Sequence, residues 1–294
     1  MAGPPRADDR EDQGDNTLVS QAQQGNQLAL EELIRCHQAW IFSLAQRMVG
    51  GPGEAEDAAQ EILIKMITKL STFRRESSFR TWLYRIGVNH ILNRRRGRWE
   101  RRFASFERHQ AFADTMRGDM EAAATQQSPE DALLAEETKS LCLAGMLLCL
   151  DRTQRLAFIL GAVMGLDSRV GGELLETSAD NFRQVLSRSR RQLASFMDGR
   201  CGLINEANAC RCAAKTRACI AAGLVDPQHL RFTPEHLSHV REVVAAQAHL
   251  ADEALECRVE ATFRDRPALP SPDMVAIVRK ALKQPDLQQL MRFH

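Results

Sequence analysis

Residues 73–102, FRRESSFRTWLYRIGVNHILNRRRGRWERR, and the stretch that leads into them, residues 54–70, EAEDAAQEILIKMITKL, carry the reading of this chain. In the earlier stretch Ala58, Ile62, Met66 and Leu70 recur at helical spacing on one face, while Asp57, Gln60, Glu61 and Lys65 occupy another. The later stretch is dense in arginine. Between Arg74 and Arg102 there are ten arginines, no lysine and only Glu76 and Glu100 as acids, with Phe79, Trp82, Tyr84 and Trp99 interleaved. Arginine with aromatics is the chemistry of phosphate and exposed-base binding. An acidic, amide-bearing helix beside an arginine helix points to two different macromolecules as partners.

Composition bounds the rest. The 294 residues suffice for two or three modest domains, and the abundance of leucine, alanine and arginine with only 5% aromatics favours helix throughout. The net charge of +1 hides a segregation into an acidic N-terminus and arginine clusters, and local charge decides polyanion binding. No apolar run is long enough to cross a bilayer, and the start MAGPPRADDREDQGDN lacks the pattern of a signal peptide, so a cytoplasmic protein without membrane insertion is expected. Eight cysteines in that compartment read as thiols or metal ligands rather than disulfides.

Along the chain, residues 1–15 are polar and expected to be disordered, and Asn16 is a candidate helix cap. Helical spacing then runs to the break at Gly50-Gly51-Pro52-Gly53, and the acidic and arginine helices follow. Residues 103–128 lose periodicity and read as a linker. Helices are expected near 130–149, 152–164, 167–176 and 179–198; the last two have helix-turn-helix spacing, and the second carries Arg183, Arg188, Arg190 and Arg191 with no acid between Asn181 and Met197. Two further helical stretches fall near 234–264 and 271–292.

DAAQEILIKMITKLSTFRRESSFRTWLYRIGVNHILNRRR, residues 57–96, resembles domain two of bacterial extracytoplasmic-function sigma factors of the sigma-70 family. SPEDALL at 128–134, followed at 150–193 by LDRTQRLAFILGAVMGLDSRVGGELLETSADNFRQVLSRSRRQL, resembles their domain four. The likeness spans roughly residues 16–198. It implies an all-α protein with domain two at 16–102, the linker, domain four at 129–198 and, beyond the family's minimal length, a helical extension at 199–294. The chain departs from the family's pattern at Gly171, Gly172 and Glu176 in the helix-turn-helix.

The resemblance implies roles that the local chemistry supports. Asp57, Gln60 and Glu61 match the surface for the clamp helices of core RNA polymerase. Arg85, Asn89, Asn93 and Arg96 share helical spacing opposite Leu83 and Ile91, and with Arg80 and Arg95 they are the domain-two candidates for promoter DNA, Asn89 foremost as a base reader. A flipped minus-ten base would be captured by the loop FRRESSF and the start of the next helix. Trp82 shares a face with Phe79 and Ile86 and reads as core. Arg183, Gln184 and Arg188 match positions that enter the major groove at the minus-thirty-five element, and Arg190 and Arg191 suit phosphates.

In the extension, Cys201, Cys210, Cys212 and Cys219 are four soft ligands that can close a structural zinc site; redox-active or free thiols are the alternatives, and no cofactor is required by the rest. The expected function is a transcription initiation sigma factor, not an enzyme: the chain has no Walker loop, dinucleotide fingerprint, H-E-x-x-H or nucleophile elbow. The expected partners are core polymerase, promoter DNA and, beyond these, an anti-sigma factor or other regulator. A free-standing helix-turn-helix regulator and a polymerase-bound interaction protein without promoter reading are the alternatives.

Overall fold

Caps and breaks written in the sequence set most helix boundaries. In the computed structural model, which describes residues 9–115, 129–230, 255–265 and 271–282, every regular element is helical and no strand occurs among the described residues. Helix α2 (Gln27–Val49) starts where the Asn26 side chain accepts from Leu28 N and Ala29 N, at 3.0 and 3.2 Å, and it stops at Gly50, whose φ of 79° a side chain would resist. Helix α3 (Pro52–Lys69) opens with proline in its first turn, where the missing N–H costs nothing. Helix α4 (Phe79–Asn93) is capped by Ser78, which accepts from Thr81 N at 3.1 Å. Leu33, Ile41, Leu44, Ile62, Met66 and Leu83 are fully buried between these three.

The N-terminus departs from expectation. Helix α1 (Asp9–Gln23) makes residues 9–15 helical rather than disordered, and Asn16 lies inside the helix instead of capping it. The reason is tertiary: Val19 is buried and Asp15 Oδ1 meets His37 Nε2 of α2 at 3.1 Å, contacts that a polar composition does not reveal. Residues 1–8 lie outside the described residues.

After the short α5 (Arg98–Arg102), the expected linker contains helix α6 (Phe106–Thr115). Phe106 stacks on Phe196 at 4.9 Å and buried His109 contacts the same ring at 5.6 Å, so this segment is docked onto the second domain. Residues 116–128 lie outside the described residues. The span expected as domain four contains α7 (Pro129–Cys149), α8 (Arg152–Phe158, continued by a π turn at Ile159–Val163), α9 (Ser168–Leu174) and α10 (Ala179–Arg200), close to the expected helices.

The described part of the extension comprises α11 (Cys212–Ala221), α12 (Leu255–Arg264) and α13 (Met274–Leu282). Its other expected helical residues lie outside the described ones. Helix α12 packs on α10 and the π turn, and α13 packs on α2 and α3. Val259, Phe263, Met274 and Val278 are thereby joined to the same apolar core as Leu33, Ile62, Leu83 and Phe182.

The two domains also touch directly through a buried ionic knot. Glu100, its side chain 2% exposed, accepts from Arg152 Nη2 at 2.6 Å and from Arg155 Nη1 at 3.0 Å. Arg155, 4% exposed, also donates to the carbonyls of Leu147, Leu148 and Leu150 at 3.0–3.1 Å and to that of Met48. One guanidinium thus satisfies orphan carbonyls at the C-terminal ends of α7 and α2. Burial alone would raise the Glu100 carboxyl, but the two arginines outweigh it and hold it below the usual carboxylate range.

Candidate nucleic-acid interface

Helix α3 places Asp57 and Glu61 at the surface with Gln60 half-buried beside them. Glu61 is less free than its spacing implied. Its carboxylate stands 3.6 Å from Arg94 Nη1 and 3.2 Å from His90 Nε2, while Lys65 Nζ meets the other nitrogen of that ring at 2.8 Å. Burial, with Lys65 and Arg94 alongside, holds His90 down to about 4, so the ring is neutral at physiological pH. The acidic helix and the arginine helix are therefore coupled through a neutral histidine.

On α4, Arg85, Asn89 and Asn93 are exposed along one face, and Asn93 Nδ2 donates to the Asn89 carbonyl at 2.8 Å. Arg80, half-buried, lies 5.9 Å from the Tyr84 ring centre. Arg95 and Arg96 are exposed, but Arg96 does not share the α4 face as its spacing suggested: the helix ends at Asn93 and the chain turns through Arg94 and Gly97 into α5. Arg152 sits at that turn, donating to the carbonyls of Ile91 and Leu92 at 3.3 and 3.1 Å and to that of Arg94. Trp82 packs against Phe73 and Phe79, at 5.2 and 5.5 Å, on the edge of the core.

The loop FRRESSF is braced by residues that sequence reasoning passed over. Gln23 of α1 donates to the carbonyls of Leu70 and Phe73, at 2.9 and 3.3 Å, and Arg75, in the left-handed region at φ 60°, reaches Ser20. No local signal in α1 marks Ser20 or Gln23; only the fold brings them to residues fifty positions away.

In domain four, Arg183, Gln184, Arg188 and Arg191 are exposed and line one shallow groove with Asp180 and Ser187. Arg183 donates to Ser168 Oγ at 2.9 Å across the turn and pairs with Asp180. Arg190 departs from the expected phosphate-holding role in this conformation. It is half-buried on another side of α10 and paired with Glu260 of α12, whose second oxygen is 3.7 Å from Arg264. Burial raises the Glu260 carboxyl in spite of the two arginines.

The unusual helix-turn-helix residues have structural reasons. A Cβ on Gly171 would stand 2.4 Å from the Phe182 ring, and one on Gly172 would stand 2.9 Å from the Thr177 carbonyl oxygen, so two glycines let α9 and α10 approach closely. Glu176 takes the left-handed turn itself, at φ 52°, where glycine is unstrained.

The four expected zinc ligands do not gather. Cys201 and Cys210 line one cavity with Cys142 of α7, and Cys212, which begins α11, lies near Cys201 and Cys210. Cys219, seven residues along the same helix and so about 10 Å away at 1.5 Å per residue, packs instead with Leu224 and Val225. All eight cysteines are free thiols, and among the described residues no group of three or more His, Cys, Asp or Glu is arranged to hold a metal ion.

The family description sigma-70 region 2 matches residues 33–101, which span most of α2 and all of α3, α4 and the turn into α5. The RNA polymerase sigma-H factor of Pseudomonas aeruginosa is 36% identical over 126 residues, which are 43% of this chain and 64% of that one. The ECF RNA polymerase sigma factor SigW of Bacillus subtilis is 27% identical over 175 residues, 60% of this chain and 92% of that one. The ECF RNA polymerase sigma-E factor of Escherichia coli is 42% identical over 79 residues, 27% of this chain and 41% of that one. The chain thus spans less than two thirds of two of these three relatives. A solved structure of CnrH in complex with the cytosolic domain of CnrY aligns with 21% identity over 63% of this chain and 98% of that one, at a TM-score of 0.44. The region 2 match lies on the acidic and arginine helices, so residues 33–101 are similar to sigma-70 region 2, and the relatives that this part of the chain resembles include extracytoplasmic-function sigma factors.

Proposed function

We propose that the protein is a transcription initiation factor that binds core RNA polymerase, recognises a two-part promoter and helps to melt it. The observation that carries this reading is the pairing, within residues 33–101, of an exposed acidic face on α3 with the exposed Arg85, Asn89 and Asn93 of α4. Asp57 and Glu61 suit a basic coiled-coil surface on the polymerase, with Gln60 as an amide contact. Asn89 reads an exposed base of the minus-ten element, and Arg80, Arg85, Asn93, Arg95 and Arg96 follow the strand. Arg183, Gln184 and Arg188 read base edges of the minus-thirty-five duplex, with Arg191 on phosphate. The protein's part is to bind and position rather than to catalyse. Among the described residues no helix is long and apolar enough to cross a membrane.

This reading carries a conformational requirement. Elements named for positions about 25 base pairs apart are separated by about 85 Å of B-DNA, at 3.4 Å per base pair. Domains two and four here touch through Glu100, Arg152 and Arg155. Engagement of both elements therefore opens the knot and frees the turn at Arg94 that Arg152 occupies. Charge reversal of Asp57 and Glu61 together should weaken core-polymerase binding by about 2–4 kcal/mol in a pull-down titration, with helicity retained. Unchanged affinity would remove α3 as the polymerase surface.

A further inference from the structure

Where the C-terminal end of α10 meets α6, α7 and α11, a cavity of about 260 Å³ is lined by His109, Cys142, Cys201, Cys210 and Lys215 among others. Cys201 closes α10, its N–H donating to the Met197 carbonyl at 2.7 Å. The chain then folds back on itself. Asn208 Nδ2 donates to the carbonyls of Asp198 and Cys201 at 2.7 and 3.3 Å, and Arg211 Nη2 donates to the Glu206 carbonyl at 2.9 Å. The fold-back brings the backbones beside the two cysteines into contact: a Cβ on Gly202 would stand 2.3 Å from the Cys210 carbonyl oxygen. Cys201 is buried, Cys210 is half-buried, and both face the same cavity.

The surrounding groups divide the sulfurs into unequal roles. Burial pushes the thiols of Cys142 and Cys201 up, and that of Cys212 up to about 12, which keeps all three protonated at neutral pH. Lys215 belongs to the same cavity wall. Burial works to lower it, but the Cys210 sulfur, within hydrogen-bond reach, works the other way and Lys215 is held above the usual lysine range, so an ammonium stands beside Cys210.

We propose that Cys210 and Cys201 form a peroxide-sensitive dithiol pair, with Lys215 placed to steady the sulfur of Cys210 as it attacks. The Cys210 sulfur gives up its proton as it attacks one oxygen of hydrogen peroxide; the S–O bond forms, the O–O bond breaks, and the departing hydroxide takes that proton to become water. The Cys201 sulfur then attacks the sulfenic sulfur. The S–S bond forms, the S–O bond breaks, and the second hydroxide leaves as water with the Cys201 proton. Two thiols are oxidised to one disulfide and one peroxide is reduced to two waters. The ring so closed contains Ile204, whose carbonyl accepts from Arg258 Nη2 of α12 at 2.8 Å. Helix α12 also carries Glu260, the partner of Arg190 on the DNA-binding helix, so the redox state of the loop reaches α10 through α12.

The test uses the full chain, reduced and then treated with hydrogen peroxide, read by thiol counting and disulfide peptide mapping. Two of the eight thiols should be lost, in a single linked peptide joining Cys201 to Cys210 and reversible by a dithiol reductant. Cys210→Ser should keep the remaining seven thiols, Cys201→Ser should stop at a sulfenic acid trapped by dimedone, and Lys215→Gln should slow the loss several-fold. Hydrogen exchange should change across residues 255–264 on oxidation of the wild type. Retention of all eight thiols, a link through Cys142 or Cys212, exchange that stays unchanged, or one equivalent of tightly held metal in the reduced protein would overturn the proposal, the last in favour of a thiolate metal site. Because the mapping is done on the wild type, a variant that fails to fold leaves the test intact.

Discussion

The two basic helices α4 and α10 are made from similar residues and stand in different company. On α4 the face of Arg85, Asn89 and Asn93 is exposed and its neighbours brace the helix from behind: Phe73 and Phe79 hold Trp82, and α1 holds the loop. On α10 the groove residues are exposed as well, but Arg190 is held by Glu260, a residue of the extension. The difference teaches that the extension is a working part of domain four rather than an appended tail. Helix α13 does the same for domain two, since Met274 and Val278 are buried against α2 and α3 and Arg279 pairs with Glu31.

The largest effect is expected where the two regions meet. Glu100→Ala leaves two buried guanidinium groups without their carboxylate and should destabilise the protein by about 3–5 kcal/mol in urea unfolding. It should also divide one transition into two; a single transition with a loss below about 1 kcal/mol would mean that the knot does not hold the domains together.

A pH titration probes the joint between α6 and domain four. Burial, with Lys215 nearby and a partial offset from the Cys142 carbonyl, holds the His109 ring down to about 4, and the residue is 3% exposed. The folded value lies below the unfolded one, so stability is intact above pH 6.5 and falls as pH drops from there towards 4. The loss from this group at pH 5 should be about 2 kcal/mol. His90, lowered in the same direction, steepens the slope on the domain-two side. A stability profile flat between pH 7 and 5 would contradict the buried neutral state of both rings.

Within domain four alone, Glu176→Gly should relieve the left-handed backbone and stabilise the protein by about 1 kcal/mol, read as an increase in Tm. A decrease would mean that the carboxylate makes a contact worth more than the strain.

The smallest effect isolates the extension's hold on α10. Glu260→Gln should loosen Arg190 and make binding to a minus-thirty-five duplex steeper in salt by about one phosphate contact. An unchanged slope would leave Arg190 without a phosphate in the bound state.

How much of this was legible in sequence depended on whether the deciding contacts were local. The helix starts after Asp151 and Ser178 match the expected spans because each side chain caps its own helix within three residues, a signal local to the sequence. The helix over residues 9–15, the docking of α6 and the end of α4 at Asn93 were not legible, because each is set by partners far along the chain: His37 for α1, Phe196 for α6, Arg152 for α4. The exposed DNA candidates follow from period and charge. The capture of Arg190 and the parting of Cys219 from the other cysteines do not, since both rest on how the extension folds back.

Run-off transcription with purified core RNA polymerase and genomic promoter fragments tests the central claim most directly, comparing the wild type with Asn89→Ala and with the Asp57/Glu61 double charge reversal. The wild type should yield defined transcripts from two-part promoters; Asn89→Ala should retain polymerase binding but lose opening and change minus-ten preference, and the double reversal should lose both. Polymerase binding by the wild type with no promoter-specific transcript would contradict the account and leave an interaction protein in its place.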